Sequence, residues 1–411
     1  MRSLLNKRIL IISHGHPDIK KGGAEVASYN MFKELESRGE DVFYLSRSPQ
    51  APHGGTAFSS HRSAREILFH TSLEDSFLYS NFVSRSLWKE FRDMLKLLQP
   101  EIIHLHHYVT LGIEIIEEAR RTLPNAKIIL TLHEYLAICH NKGLMVKTNG
   151  DLCYRASARD CADCFADKSP ADFFLREKYI KRLFENIDHF VSPSHFLKFR
   201  YVEWGIDENL ISVIENGQPL RTNIQNLNQP ESKKVKFAFF GQINTDKGIE
   251  LLLTAINLLP SRIKKKMVLE IHGANLNLQS NIFQDKIFGL LSSLKEIVFN
   301  IGPYEQSQMP SLLSKVDWVV VPSTWWENSP MVIQEAFQQK VPVITSDIGG
   351  MAEKVTHGKD GLHFQVRNSV DLSQILIYAI DNSIIRNKFV DAIIVPLGIK
   401  DIVDKHAELY R

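Results

Sequence analysis

The chain has 411 residues, 44% of them hydrophobic and 23% charged, too long for one ordinary core and suited to two domains of about 200 residues each. Its net charge of +2 gives no basis for nucleic-acid binding. The basic residues Arg2, Lys7 and Arg8 precede an apolar run, Ile9 to Ile12, far too short for a signal-peptide core. No other run approaches the ~20 apolar residues of a membrane span, so a cytoplasmic protein is expected.

Arg8 to Ser13 predicts a buried first strand. The segment HGHPDIKKGG then leads through Gly22 and Gly23 into a helix from Ala24 to Ser37, closed by Gly39 and followed by a strand at Val42 to Leu45. This is the opening βαβ of a doubly wound sheet, whose ligands lie beyond the carboxyl ends of its strands. No G-x-G-x-x-G follows the first strand, which speaks against a dinucleotide coenzyme. Ser48 to Ser72, rich in Ser, His, Gly and Pro, predicts a long surface loop. Ile102 to His106 predicts a strand whose period of two puts His104 and His106 on one face. With His107 beside them and no acid nearby, packed or solvated rings are favoured over metal ligands. Lys127 to Leu132 predicts a strand ending at His133 and Glu134, at the edge where such sheets bind ligand.

All four cysteines, Cys139, Cys153, Cys161 and Cys164, fall within residues 136–168, the last two as C-x-x-C. In a reducing compartment four clustered thiols fit a metal better than disulfides. A closed, structural zinc site is the first expectation; unligated thiols, an iron-sulfur cluster and disulfides stay open, and His140 can replace one sulfur. Ala171 to Phe190 mixes Phe173, Phe174, Leu175, Tyr179, Ile180, Leu183 and Phe184 with Arg176, Lys178, Lys181 and Arg182. Such a basic amphipathic helix can contact an anionic membrane through residues 171–186; a core helix with a solvated basic side is the favoured reading. VSPSHF then turns into a helix with Ser194 as candidate cap, and Ile211 to Ile214 closes the first half at Glu215, Asn216 and Gly217. The polar run from Gln218 to Lys234 reads as a linker.

The second half opens with a strand, Val235 to Gly241, the turn QINTDKG and a helix from Ile249 to Leu259. Val268 to Gly273 and Ile297 to Ile301 predict further strands, the latter followed by a GPY turn carrying Tyr304. The most informative stretch runs from Val319 to Glu353, VVVPSTWWENSPMVIQEAFQQKVPVITSDIGGMAE, and reads strand, loop, helix, strand. Pro330 fits the first helical position and Ser329 its cap. That leaves the Met331 and Val332 amides as donors at the positive end of the helix dipole, where a phosphate binds. Glu327 precedes this joint, and Glu335 lies one turn after Met331 on the same face, placed to accept hydrogen bonds from vicinal hydroxyls such as those of a ribose. Beyond Glu353 come a strand, Leu362 to Phe364, a helix from Asp371 to Asp381 and a terminal helix from Asp401 to Arg411.

Glu327, seven intervening residues, Glu335, an apolar strand, then Gly349 and Gly350 with Glu353 resemble the signature of the retaining glycosyltransferases of family 4 (group 1). The resemblance covers nearly the whole chain and is strongest from Phe237 to Glu353. It implies an α/β protein of GT-B fold, two Rossmann-like doubly wound domains facing across a cleft. They would be an acceptor-side domain at 1–217 and a nucleotide-sugar-binding domain at 218–395, with a terminal helix at 396–411 crossing back. The implied reaction moves a sugar from a nucleotide diphosphate-sugar to a hydroxyl of a glycan, a lipid-linked sugar or a small molecule, with retention at the anomeric carbon.

The resemblance makes His133, Lys247 and Glu327 the catalytic residues: Lys247 neutralises the donor diphosphate, and Glu327 and His133 hold the transferred sugar. Glu335 takes the donor ribose, Ser329, Met331 and Val332 meet the diphosphate, Tyr304 stands at the nucleobase, and Gly22 and Gly23 let backbone approach the substrates. One departure concerns Gln242, where many relatives carry arginine directly after the first glycine. Glutamine brings no charge, so leaving-group stabilisation rests more on Lys247 and the helix amides, together with Gln242's own hydrogen bonds to the donor. No catalytic metal is expected where a lysine and a helix end take that part. The rivals are another nucleotide-sugar enzyme on this fold, such as an epimerase or hydrolase, and a non-catalytic subunit that binds nucleotide sugar.

Overall fold

The computed structural model describes residues 6–20, 22–50, 55–81, 85–220 and 234–411. The chain divides into two compact units, Met1–Pro219 with Leu397–Arg411, and Leu220–Pro396. Arg2 and nearly all of the expected linker, residues 221–233, lie outside the described residues.

The first unit holds an eight-stranded sheet made of β1 (Ile9–Ser13), β2 (Val42–Ser48), β3 (Phe58–Ser60), β4 (Glu66–His70), β5 (Ile102–Leu105), β6 (Lys127–Thr131), β7 (His189–Ser192) and β8 (Ile211–Val213). Their order is β3-β4-β2-β1-β5-β6-β7-β8, parallel throughout except where β3 runs antiparallel to β4. β1 is buried at every residue, as its unbroken apolar run requires of a strand covered on both faces. Residues 58–70, expected as surface loop, instead supply β3 and β4 at the sheet edge. Phe69 is fully buried there and stacks on Phe58 at 4.7 Å between ring centres. These strands are short, and their serines and histidines interrupt the alternation that would have revealed them.

Between β6 and β7 the helix Pro170–Phe184 opens on a capping box of Ser169 and Asp172. It buries Phe173, Ile180, Leu183, Phe184 and also Arg176, which departs from the expected solvated basic side. The Arg176 guanidinium donates to the carbonyls of Phe77 (2.8 Å), Ala137 (2.8 Å) and Leu136 (2.6 Å), so backbone oxygens replace the water it gives up. Phe174 and Leu175 remain exposed, and no helix among the described residues is long and apolar enough to cross a membrane. Ser194 caps the helix His195–Trp204 by accepting from the Leu197 amide. The terminal helix Ile399–Tyr410 sets Ile399, Ile402, Val403 and Tyr410 into the same core as Ile9, Ile11, Met31 and Phe32.

The second unit holds β9 (Val235–Gln242), β10 (Met267–Ala274), β11 (Val298–Asn300), β12 (Trp318–Val321), β13 (Val343–Ser346) and β14 (Gly361–Phe364). All are parallel, in the order β11-β10-β9-β12-β13-β14. Counted within the unit this is 3-2-1-4-5-6, the Rossmann order. The order reverses between β9 and β12, so a crevice opens beyond the carboxyl ends of those two strands. Phe237, Leu269, Trp318 and Ile344 pack one face of the sheet against the helices Ile249–Leu258 and Ser369–Asp381.

Candidate functional site

Lys247 lies on the loop leaving β9 and Glu327 on the loop leaving β12, so both stand at the reversal point of the second sheet. Two glycines fix these loops. Gly248 has φ +71° and would, with a Cβ, stand 1.8 Å from the Pro322 carbonyl oxygen. A Cβ on Gly350 would stand 1.7 Å from the Asn328 carbonyl oxygen, and the Gly350 amide donates to the Glu327 carbonyl at 2.6 Å. No other residue permits such approaches. Lys247 Nζ thereby reaches Glu327 Oε1 at 2.5 Å, and the same oxygen accepts from Ser323 Oγ (2.8 Å) and Trp325 Nε1 (3.1 Å). The Glu327 carboxylate is buried, a position an anion keeps only when paired and hydrogen-bonded. Ser323 and Trp325 were not among the expected site residues; their signal was their place immediately after an apolar strand.

The following helix is Met331–Gln338, with Pro330 as its N-cap and no side-chain cap. Ser329 therefore does not cap it, contrary to expectation: its hydroxyl is buried and has no hydrogen-bond partner among the described residues. Proline in the extended cap conformation, φ −60° and ψ 114°, shifts the helix start by one residue. Met331 and Val332 still occupy the first turn, whose amides lie outside the helix's own ladder. Glu335 Oε1 accepts from Gln306 Nε2 at 3.3 Å. Tyr304 packs edge-on against Phe240, with 5.5 Å between ring centres, and burial, followed by the charge of Glu335, pushes its hydroxyl above the ordinary range. Glu335 and Tyr304 thus share one neighbourhood. Gln242 ends β9, exposed, within 3.4 Å of the Asn244 amide group.

In the first unit, histidines gather at the carboxyl ends of β1, β5 and β6. His14 Nε2 meets Glu25 Oε1 at 3.1 Å, His107 Nε2 meets Glu134 Oε1 at 3.1 Å, and the His14 and His107 rings lie 4.1 Å apart. The amides of Tyr108 and Val109 both donate to His107 Nδ1, which places that ring's proton on Nε2, facing Glu134. His106 Nδ1 lies 3.0 Å from His133 Nε2. His104 is locked between Tyr410 (2.6 Å) and Thr131 (2.7 Å), a packed ring as expected. Burial, and then His107 and His14, push His133 down to about 3. Burial pushes Glu134 up to about 7, against the hydrogen bond from the Leu136 amide. Burial also works to raise Glu25, but the His14 hydrogen bond outweighs it and holds the carboxyl below its usual range. Gly22 precedes the helix Gly23–Ser37, and a Cβ on it would stand 2.4 Å from Glu25 Oε2. Its bareness makes room for that acid.

The four cysteines are free thiols and line one cavity of about 20 Å³, with His140 and Asp160 on the same wall. That is space for a single ion or water. No three of the sulfurs lie within 4.8 Å of one another, whereas bonds of 2.3 Å in a tetrahedral zinc tetrathiolate put sulfurs about 3.8 Å apart. Burial, and then Cys139 and Cys153, push the Cys161 thiol up to about 12. Among the described residues the one group that does come within 4.8 Å is His16, Asp18 and His61. Its contacts need no ion: Asp18 accepts from His61 (2.9 Å) and Arg62 (2.7 Å), and its amide donates to His16 Nδ1.

Two parallel sheets of this kind, with a lysine and a carboxylate paired at the reversal point of the second, define an α/β protein of the GT-B class. Residues 21–221 match the family model "Glycosyltransferase Family 4" and residues 221–394 match "Glycosyl transferases group 1". The chain belongs to the GT-B glycosyltransferases of group 1, family 4 type.

A lipopolysaccharide 1,2-N-acetylglucosaminetransferase of Salmonella typhimurium is 29% identical over 198 residues, 46% of this chain and 51% of that protein. The chain spans about half the length of the first curated relatives it matches. The sucrose-phosphate synthase of Thermosynechococcus elongatus shares the fold with a TM-score of 0.73 at 17% identity, over 98% of both chains. HepE of Anabaena, solved in complex with UDP, shares it with a TM-score of 0.67 at 16% identity, over 98% of this chain and 99% of that one.

Proposed function

We propose that this protein transfers a sugar from a nucleoside diphosphate sugar to a hydroxyl acceptor, with retention at the anomeric carbon. The observation that carries the reading is the Lys247–Glu327 pair, 2.5 Å apart at the reversal point of the second sheet. When the bond from the sugar to the diphosphate breaks, negative charge grows on the departing oxygens. Lys247 and the Met331 and Val332 amides stabilise it, and such preorganised donors commonly supply the largest part of a rate enhancement. Gln242 adds a neutral donor where a cation is usual in the family.

Glu327, held by Ser323 and Trp325, presents a fixed carboxylate to the sugar hydroxyls, while Glu335 beside Tyr304 and Gln306 receives the ribose and base. To His133, kept neutral by burial, we assign a part in holding the transferred sugar, and the acceptor hydroxyl attacks from the side the leaving group vacates. The UDP complex of the similarly folded HepE supports a diphosphate donor. Beside this chemistry we assign the four thiols to a zinc ion of architectural role; that they line one cavity supports the reading, and binding must draw the sulfurs closer than they stand. Exposed Phe174 and Leu175 beside Lys178 suit contact with an anionic bilayer should the acceptor be lipid-linked.

The test is a thermal-shift screen of UDP, GDP, ADP and TDP sugars against the whole chain. A ligand that binds only the folded state raises its melting temperature. One nucleotide series is expected to do so in the wild type and far less in Glu335→Gln. No shift from any series at millimolar concentration removes the donor site. Product analysis with and without acceptor then separates transfer from hydrolysis or epimerisation.

A further inference from the structure

A larger cavity, of about 210 Å³, lies within the first unit and shares Met145 and Ala156 with the cysteine cavity. The helix Pro170–Phe184 lends it Glu177, the helix His195–Trp204 lends it Arg200, Glu203 and Trp204, and the segment after Cys153 lends it Tyr154 and Arg155. Arg200 assembles this wall. Its buried guanidinium donates to the Tyr154 carbonyl and to Glu203 Oε2 at 3.2 Å, which ties the segment after Cys153 to the helix. A charge at that depth persists because a carbonyl and a carboxylate stand in for water. Lys181, one turn after Glu177, meets that acid at 2.6 Å and lies 4.7 Å from the Trp204 ring centre. Arg155 is exposed, and among the described residues it has no ion-pair partner. The cavity and its immediate support therefore hold three cations, Arg155, Lys181 and Arg200, against the two carboxylates of Glu177 and Glu203.

Size, hydrogen bonding and charge together select a class of ligand. Sites for drug-sized molecules run to about 300–1,000 Å³ and are mostly apolar, whereas four of the nine residues lining this one are charged and its volume suits a single sugar ring. A hydroxyl both donates and accepts, so neighbouring carboxylates and guanidiniums can satisfy several of them on one ring, with the indole of Trp204 as the apolar wall. The surplus cation matches one negative charge, and a guanidinium offers a carboxylate or phosphate two parallel donors. We propose that this cavity binds a monosaccharide unit bearing one carboxylate or phosphate, with Arg155 on the anion and Glu177 and Glu203 on ring hydroxyls. The assignment stands apart from the donor site of the second unit and needs no ion at the thiols, since none of these side chains belongs to either.

The test titrates the full chain by calorimetry with glucuronate, glucose 6-phosphate, glucose and inorganic phosphate. The two charged sugars are expected to bind at least about tenfold tighter than glucose or phosphate, and to move the Trp204 indole resonance, assigned by its loss in Trp204→Phe. Arg155→Gln, at an exposed position, should weaken both charged sugars about tenfold, the scale of one charge-assisted contact, and leave glucose unchanged. Methyl glucuronide separates the two sources of such a ligand: binding equal to that of glucuronate assigns the site to a linked unit of a glycan, and loss of binding assigns it to the free sugar acid. The nucleotide-sugar thermal shift should be the same in Arg155→Gln as in the wild type; its loss would place Arg155 in donor binding and overturn the separate site. Phosphate that binds as tightly as glucose 6-phosphate, charged sugars that leave Trp204 unmoved or bind Arg155→Gln as well as wild type, or no binding by any of them at millimolar concentration, each overturns the proposal without touching the donor site.

Discussion

The carboxyl edges of the two sheets are built from opposite materials. The second unit's edge sets a cation, Lys247, against a buried carboxylate and places a helix start beside them. The first unit's edge is a cluster of imidazoles paired with Glu25 and Glu134, with His133 held neutral by burial. Positive charge and a helix start suit the growing charge of a departing diphosphate; neutral rings and fixed carboxylates suit hydroxyls, which ask for directed hydrogen bonds and no net charge. On the proposed reading, the second unit's edge serves the anion and the first unit's edge the polyol.

The sharpest way to break this contrast is Lys247→Ala. Removing one stabiliser of a developing anion typically costs about a hundred- to a thousandfold in kcat, and that loss is expected here once the donor is known. Lys247→Arg, which keeps the charge, should recover part of it. His133→Ala should lower kcat less and act more on sugar discrimination. Steady-state kinetics of the three variants decides the matter: equal losses at Lys247 and His133 would mean that the two edges are not divided by charge.

That division was partly legible in the amino-acid sequence, because the second edge depends on local order. Strand, loop, proline and helix follow one another within Val319–Glu353, and Glu327 and Glu335 take their places from spacing alone. The start of the helix was misplaced by one residue because whether proline occupies the cap or the first turn is set by its ψ, here 114°, which no propensity reveals. The first edge depends on contacts between segments far apart: His14 with Glu25, His107 with Glu134, His104 with Tyr410, 306 residues away. Single histidines carry no periodic signal of such partners. β3 and β4 were hidden for a related reason: a three-residue strand gains its stability from the neighbour it pairs with.

Acid sharpens the contrast, because it acts on the imidazoles first. His406 is buried beside His104, its Nδ1 bonded to the Ile402 carbonyl, and burial pushes it down to about 4. An unfolded histidine binds its proton near 6.5. Between pH 6.5 and 4 the unfolded chain therefore holds more protons, and the stability of the first unit falls as pH falls, by up to about 3 kcal/mol for this one group. Buried His104 and His106 act in the same direction. Urea titrations across this range should show a steep loss for the wild type, with the slope reduced in His406→Gln whatever that variant's absolute stability. A second-unit probe such as Trp318 fluorescence should report a later transition if the units unfold separately.

The smallest effect belongs to Glu335→Gln. Its carboxylate accepts from Gln306 at 3.3 Å, a long hydrogen bond that a ribose hydroxyl would compete with. Glutamine retains one carbonyl acceptor and loses the charge, so the loss should be the difference between a charged and a neutral hydrogen bond, about 1–1.5 kcal/mol or roughly tenfold in Kd. On the proposed role of Glu335 the ribose is held alike before and during bond breaking, so kcat should stay nearly constant while KM for the donor rises. The free nucleoside diphosphate should weaken by the same factor as the full donor in calorimetric titrations. A fall in kcat of the size expected for Lys247→Ala would instead place Glu335 against the reacting centre, and the separation of nucleoside from leaving group along this edge would have to be redrawn.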